Sequence, residues 1–263
     1  MNLVDIHSHL EHKQFTDLPQ VIERASSAGL KLIITAGINL ETNKQALKIS
    51  EKYPLVKPSF GIYPPDALNN EISSGESADF STLVSFNLAK EMEFIKKNID
   101  KCIAIGEIGL DFNFTSPDKE LQEKIFTELI ELAHKSNKPI IVHSRKAESR
   151  VLELLEKHQA TQVILHCFCG SKSLIEKAVS LGYLFSIPPA ITRWQNFQSL
   201  VSLVSLTHLL TETDSPYLSY KPSSRNEPAN VQVTINEIAK IKNLSPQKVS
   251  EIMFNNALKL FRI

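Results

Sequence analysis

The sequence predicts a (β/α)₈ barrel, and three observations predict it. Short apolar runs recur near residues 3–7, 31–36, 55–61, 102–107, 139–143, 162–166, 183–187 and 207–213. Segments with helical spacing separate most of them, and such alternation implies a parallel sheet with right-handed crossovers. The length of 263 residues matches one barrel, for which about 250 is typical. A single α/β domain over residues 1–263 is therefore expected. An open doubly wound sheet is the competitor, and periodicity alone does not exclude it.

Each element has a local reason. The first run, LVDIHSH, ends in His7 and His9, and LPQVIERASSAGL after it reads as a helix with Gly29 as its C-cap. The third run leads into PPDALNNEISSGESADFS, rich in Asn, Ser and Glu, expected to be a mobile loop over the barrel top. CIAIG precedes Glu107, with Ile103 and Ile105 expected on the inward face beside it. In DKELQEKIFTELIELAHKSNK, Leu121, Ile125, Leu129 and Leu132 recur at helical spacing. PIIVHSR and QVILHCF end near His143 and His166, inward with Ile141 and Ile164. HLLTETDSP carries Glu212 and Asp214 before Ser215-Pro216 stops the strand. Two C-terminal helices follow, the second opened by Ser245-Pro246 as N-cap and first helical residue.

Six residues at or just past run ends, His7, His9, Glu107, His143, His166 and Asp214, are of types that bind divalent metal. Parallel strands deliver such residues to one point at the C-terminal face of a barrel. Alternation puts His7 and His9 on one side of the first strand, with Asp5 one step deeper. Asp5 is expected to orient a ligand imidazole rather than to touch the ion. Mixed imidazole and carboxylate donors suit Zn²⁺ or Mn²⁺ better than Ca²⁺. Four histidines and two carboxylates exceed what one tetrahedral ion needs, so two divalent ions (Zn²⁺, Mn²⁺ or Mg²⁺) bridged by Glu107 are expected. Such a pair activates water and neutralises charge on the attacked group. Glu107 and Asp214 are the candidate catalytic residues, Asp214 as general base.

Bulk properties bound the function. With 29 basic and 29 acidic residues the formal net charge is zero, which gives no broad basic surface for holding nucleic acid. Cys102, Cys167 and Cys169 show no framework spacing, so structural disulfides are not expected. Cys167 and Cys169 read as small buried residues at a strand end. The start MNLVDIHSH lacks the features of a signal peptide. No run reaches the ~18 apolar residues needed to span a bilayer. A cytoplasmic protein with no membrane association is the expectation; protein partners are not legible.

The combination DIHSHL, GEIGLDF, PIIVHSR, ILHCFCG, LLTETDSPYL and RNEPANV resembles the TatD family of metal-dependent deoxyribonucleases, within the amidohydrolase-type hydrolases. The match runs in order from residue 5 to about residue 231. The resemblance implies a (β/α)₈ barrel, a one- or two-metal site and phosphodiester hydrolysis on DNA, often as a 3′–5′ exonuclease. It places His7, His9, Glu107, His143, His166 and Asp214 on the family's metal-binding positions. Glu107 stands where wider relatives use a modified lysine as the bridge. Glu212 is expected to support the site from one inward step below Asp214. Arg225, Asn226 and Glu227 match the RNEP segment, which either closes over the site or anchors a loop. Where the family usually reads GxHPH, this chain reads GIYPPD, with Tyr63 and Pro65 in place of histidines. Cys169 replaces a small hydroxyl residue.

DNA, single-stranded or at 3′ ends, is thus the expected substrate. Tyr63, Arg145, Arg193, Arg225 and Asn226 are the candidate substrate contacts, Lys172 and Lys221 are further loop cations, and Phe112, Tyr63 and Trp194 are candidates for stacking an unpaired base. A metal-dependent deacylase or esterase, such as a D-aminoacyl-tRNA deacylase, would use the same ligands. A catalytically impaired metal-binding scaffold is the alternative of a different class, and Tyr63 is its best argument.

Overall fold

The computed structural model describes residues 1–65, 69, 86–113 and 118–263. The expected loop over residues 64–81 lies outside them except for Pro64, Pro65 and Asn69. Eight strands pair in parallel in chain order. They are β1 (Leu3–Ser8), β2 (Leu30–Ala36), β3 (Val56–Phe60), β4 (Ala104–Asp111), β5 (Ile140–Arg145), β6 (Val163–His166), β7 (Leu184–Ile187) and β8 (Leu209–Thr211). The first and last strands meet through a parallel bridge between Ser8 and Ser215 and a bond from the Thr211 hydroxyl to the Val4 carbonyl. The barrel is thereby nearly closed, not an open sheet.

The caps follow the sequence. Helix Leu18–Ala28 ends at Gly29 with φ +98°, a left-handed position that costs glycine least. Asp118 caps Lys119–Ser136 by accepting from the Leu121 N–H, and Ser245 caps Pro246–Phe261 by accepting from the Lys248 N–H. That last helix lays Ala257, Leu260 and Phe261 against the inner cluster. Its Asn256 donates to the Leu206 and Leu209 carbonyls and its Ser250 to the Asn2 carbonyl, so it closes the N-terminal end of the barrel.

Two irregularities set the face of the site. Between Asp5 and Ser8, three steps on β1 oppose two on β2; between Ile105 and Ile108, three steps on β4 oppose two on β5. Each bulge reverses the inward phase. Val4, Ile6 and Ala104 therefore pack inside the barrel, beside Ile141 and Ile164 of the regular strands β5 and β6, whereas Ile105 packs in the outer layer beneath the helices. The simple alternation that paired Asp5 with His7, and Ile105 with Glu107, fails because each strand gains one residue just before its ligand-type side chain. β4 also runs on to Asp111 instead of stopping at Glu107.

Gly109 makes that continuation possible. Its φ is +147°, and a Cβ there would lie 2.0 Å from the His143 carbonyl oxygen. Gly109→Ala is expected to cost about 1–3 kcal/mol, seen as a lower melting temperature; an unchanged melt would show that β4 and β5 tolerate wider spacing.

Candidate metal centre

The C-terminal mouth of the barrel gathers His7, His9, Glu107, His143, His166 and Asp214. Glu107, 4% exposed, divides its carboxylate between two pairs of rings. Oε2 lies 3.4 Å from His7 Nε2 and 3.5 Å from His9 Nε2. Oε1 lies 3.1 Å from His143 Nδ1 and 3.8 Å from His166 Nε2. Asp214 Oδ1 is 3.5 Å from His7 Nε2 and 3.3 Å from His9 Nε2.

In three of the rings the far nitrogen lies against a carbonyl or carboxylate oxygen. His9 Nδ1 is 2.9 Å from the Ala36 carbonyl, His166 Nδ1 2.8 Å from Glu212 and His143 Nε2 3.0 Å from Asp111. In the neutral rings that metal binding requires, protons placed there leave the opposite nitrogens bare and facing Glu107. His7 is fully buried, and neither of its nitrogens has a hydrogen-bond partner among the described residues. An orphan imidazole facing two carboxylates costs stability unless something else satisfies it.

A divalent ion fits that need. Donors bonded at about 2.0–2.2 Å to one tetrahedral ion stand about 3.3–3.6 Å apart, the spacing found among His7, His9, Asp214 and Glu107. With His166 these donors form two overlapping clusters, His7–His9–Asp214 and His7–Glu107–His166, and a third group, His166–Cys167–Glu212, adjoins them.

The electrostatics are those of opposed buried charges. Burial pushes the His7 imidazolium down, but Glu107 and Asp214 outweigh it and raise the ring to about 10. Burial is outweighed likewise at His143, raised to about 9 by Asp111 and Glu107, and at His9, raised by Asp214 and Glu11. Burial pushes Glu107 and Asp214 up, yet the surrounding imidazoles hold both carboxyls below their usual range.

Supporting groups lie close by. Glu212, fully buried, accepts from His166, from the Ser186 hydroxyl and from the Cys167 N–H and thiol. Asp5 does not orient an imidazole: it accepts from the His7 and Thr213 N–H groups and the Thr213 hydroxyl. The bulge in β1 turns it away from the ring it was expected to support. Cys167 is half-buried and Cys169 exposed, so the latter is not the buried residue expected.

Substrate-contact expectations divide. Tyr63 is buried, donates to Asp111 and stands with its ring 4.7 Å from that of His143. Arg145 donates from Nε to the same Asp111 oxygen at 2.7 Å, at the edge of the mouth. Arg193 reaches the Ser219 carbonyl, and Trp194, exposed, stacks on Phe197. Arg225 instead faces Asp17 with both terminal nitrogens, and fully buried Asn226 donates to the Thr213 carbonyl. Both were expected to meet substrate. Their segment is tied to the first helix, since Arg24 also holds Glu227 through paired bonds.

Asp111 and Glu11 were missed in the sequence. Asp111 braces His143 from beyond the point where the apolar run of β4 ends, although it stands inside GLDF. Glu11 lies 3.3 Å from His9 Nδ1 and accepts from Thr35. An acidic residue two past an HxH pair carries no local signal of that contact.

A (β/α)₈ barrel with four imidazoles and two carboxylates at its C-terminal mouth is the architecture of a metal-dependent hydrolase. This chain belongs to the TatD related DNase family, which it matches over residues 4–262. It is 36% identical over 267 aligned positions to deoxyribonuclease TATDN3 of Homo sapiens, covering 99% of this chain and 95% of that protein. It is 32% identical to the 3′-5′ ssDNA/RNA exonuclease TatD of Edwardsiella piscicida, covering 99% of this chain and all of the other. The crystal structure of YJJV, a TatD homolog from Escherichia coli K12, superposes with a TM-score of 0.85 at 25% identity, over 99% of this chain and 98% of that one. Among the described residues no helix is long and apolar enough to cross a membrane.

Because His7 and His143 are raised to about 10 and about 9 without an ion, they hold protons at neutral pH. Ligation requires neutral rings, so binding must release protons and weaken as the pH falls. Calorimetric titration with Mn²⁺ in two buffers of different ionisation enthalpy is expected to give different apparent heats. Equal heats would rule out this proton exchange.

Proposed function

We propose that this chain removes nucleotides from the 3′ ends of single-stranded DNA by phosphodiester hydrolysis with two divalent ions. The divided carboxylate of Glu107 carries this reading, because one oxygen faces His7 and His9 and the other faces His143 and His166. His7, His9 and Asp214 would hold one ion, His143 and His166 the other, and Glu107 both. The ions supply Lewis acidity toward a phosphoryl oxygen and a lowered pKa for water, a task open to Zn²⁺, Mn²⁺ or Mg²⁺.

The protein's own groups do the rest. Asp214, kept ionised by His166, His7 and His9 despite burial, takes the proton of the attacking water at a carboxylate oxygen. Asp111 holds His143 in the orientation that turns Nδ1 to Glu107, and Glu212 does the same for Nε2 of His166. Arg145, pinned through Nε to Asp111, presents its guanidinium at the mouth to a substrate phosphate. Zero net charge limits the contact to a small footprint of this kind. The family's deoxyribonucleases, and the relative named for 3′-5′ ssDNA/RNA exonuclease activity, support the substrate class.

The decisive assay is cleavage of 3′- and 5′-labelled single strands by metal-free enzyme reconstituted with Mg²⁺, Mn²⁺ or Zn²⁺. Laddering from the 3′ end is expected, and Asp214→Asn should lower kcat by about 10²-fold or more. No cleavage with any ion would refute the DNA assignment and direct attention to aminoacyl esters. Arg145→Ala is expected to raise KM with little change in kcat. Arg225→Ala should leave KM unchanged and cost about 0–1 kcal/mol of stability through its lost contact with Asp17; a raised KM in that variant would return Arg225 to the substrate face.

A further inference from the structure

Asp214 itself is held in an unfavourable backbone state. Its φ is +52°, in the left-handed region that non-glycine residues rarely occupy. β8 ends at Thr211, and beyond it the turn keeps no regular ladder, only separate backbone bonds from the Glu212 N–H to the Ile187 carbonyl, from the Thr213 and Asp214 N–H groups to the His7 carbonyl, and at the Ser8–Ser215 bridge. Side chains from both ends of the chain take the ladder's place. Asp5 accepts from the Thr213 N–H at 2.8 Å and from the Thr213 hydroxyl at 2.5 Å. The same hydroxyl oxygen accepts from the Ser215 N–H at 3.3 Å. Asn226 donates to the Thr213 carbonyl at 2.8 Å, while its own N–H donates to the Pro216 carbonyl at 2.9 Å. Asp5, Thr213 and Asn226 are all fully buried.

We infer that Asp5, Thr213 and Asn226 form a clamp that positions Asp214, fixing its left-handed turn so that the carboxylate faces His7 and His9. The inference rests on the reading of Asp214 as a metal-holding residue. The geometry leaves the turn little freedom. The Asp214 N–H donates to the His7 carbonyl at 2.8 Å and the His9 N–H to the Ser215 carbonyl at 2.8 Å. β1 and the turn are thus locked together with the ligand-type side chains on both. Asn226 cannot drift, because its Oδ1 accepts from Asn230 and the Glu227 N–H. Its neighbours Arg225 and Glu227 are held by Asp17 and Arg24 at helix Leu18–Ala28. The RNE segment therefore acts on the centre through the backbone of Thr213, without touching substrate. Removing the clamp lets the turn relax toward negative φ, which swings the carboxylate away from the two rings.

The test is titration of metal-free protein with Co²⁺, followed by its visible absorption, in wild type and in Asn226→Ala, Asn226→Ser, Thr213→Val and Thr213→Ser. Asn226→Ala and Thr213→Val are expected to weaken Co²⁺ binding by about tenfold or more and to alter the absorption bands. Thr213→Ser, which keeps the hydroxyl, should bind nearly as wild type. On labelled DNA the impaired variants should lose kcat with KM preserved. Folded Asn226→Ala or Thr213→Val protein with wild-type affinity and spectrum would overturn the clamp, as would Thr213→Ser as weak as Thr213→Val. Should those two variants not fold, Asn226→Ser decides by the same criteria. Asp214→Asn is the control: if it too binds Co²⁺ as wild type, the reading of Asp214 fails, whereas a loss confined to Asp214→Asn overturns the clamp alone.

Discussion

The structure turns on one buried carboxylate. Glu107 lies at the end of the barrel axis with an oxygen toward each of two imidazole pairs. Burying it alone would cost several kcal/mol, and so would burying His7 without a partner for either nitrogen. Both costs are offset only when opposite charges converge, which fixes how β1, β4, β5, β6 and the turn after β8 must stand relative to one another. The surrounding barrel is the scaffold that enforces that meeting.

The scaffold achieves it with two bulges and a turn, not with ideal strands. Inside, Val4, Ile6, Ala104, Ile141 and Ile164 pack into an apolar layer beneath the centre. The extra residue in β1 and in β4 then rotates the next side chain inward over that layer. A regular strand would keep the alternation of apolar layers and send His7 or Glu107 into the outer core. Irregularity at these points is the device that converts a hydrophobic barrel into a polar mouth.

A second layer of groups keeps three of the four rings, His9, His143 and His166, in one orientation. Ala36, Asp111 and Glu212 each accept from the far nitrogen of a histidine. Tyr63 and Arg145 converge on the same Asp111 oxygen that His143 uses. The departure from the family's usual GxHPH thus places a phenol where it braces a carboxylate, which accounts for Tyr63 within an otherwise intact centre.

The sequence by itself determined the alternation of strands and helices and the six ligand-type residues, because apolar runs and ligand-type residues at their ends are local patterns; closure into a barrel rather than an open sheet was decided by the meeting of the first and last strands. It also carried the caps at Gly29 and Ser245, whose chemistry is written in adjacent residues. Tertiary structure alone decided the inward phase at His7 and Glu107, since one added residue in a strand leaves no mark on composition or periodicity. It alone assigned Asp5 and Asn226 to the backbone of Thr213, and Arg225 to Asp17, because those contacts join residues about 200 apart in the chain or tucked behind a turn. Asp111 and Glu11 were hidden for the same reason: a carboxylate's partner is set by where the chain returns, and a linear pattern does not record it.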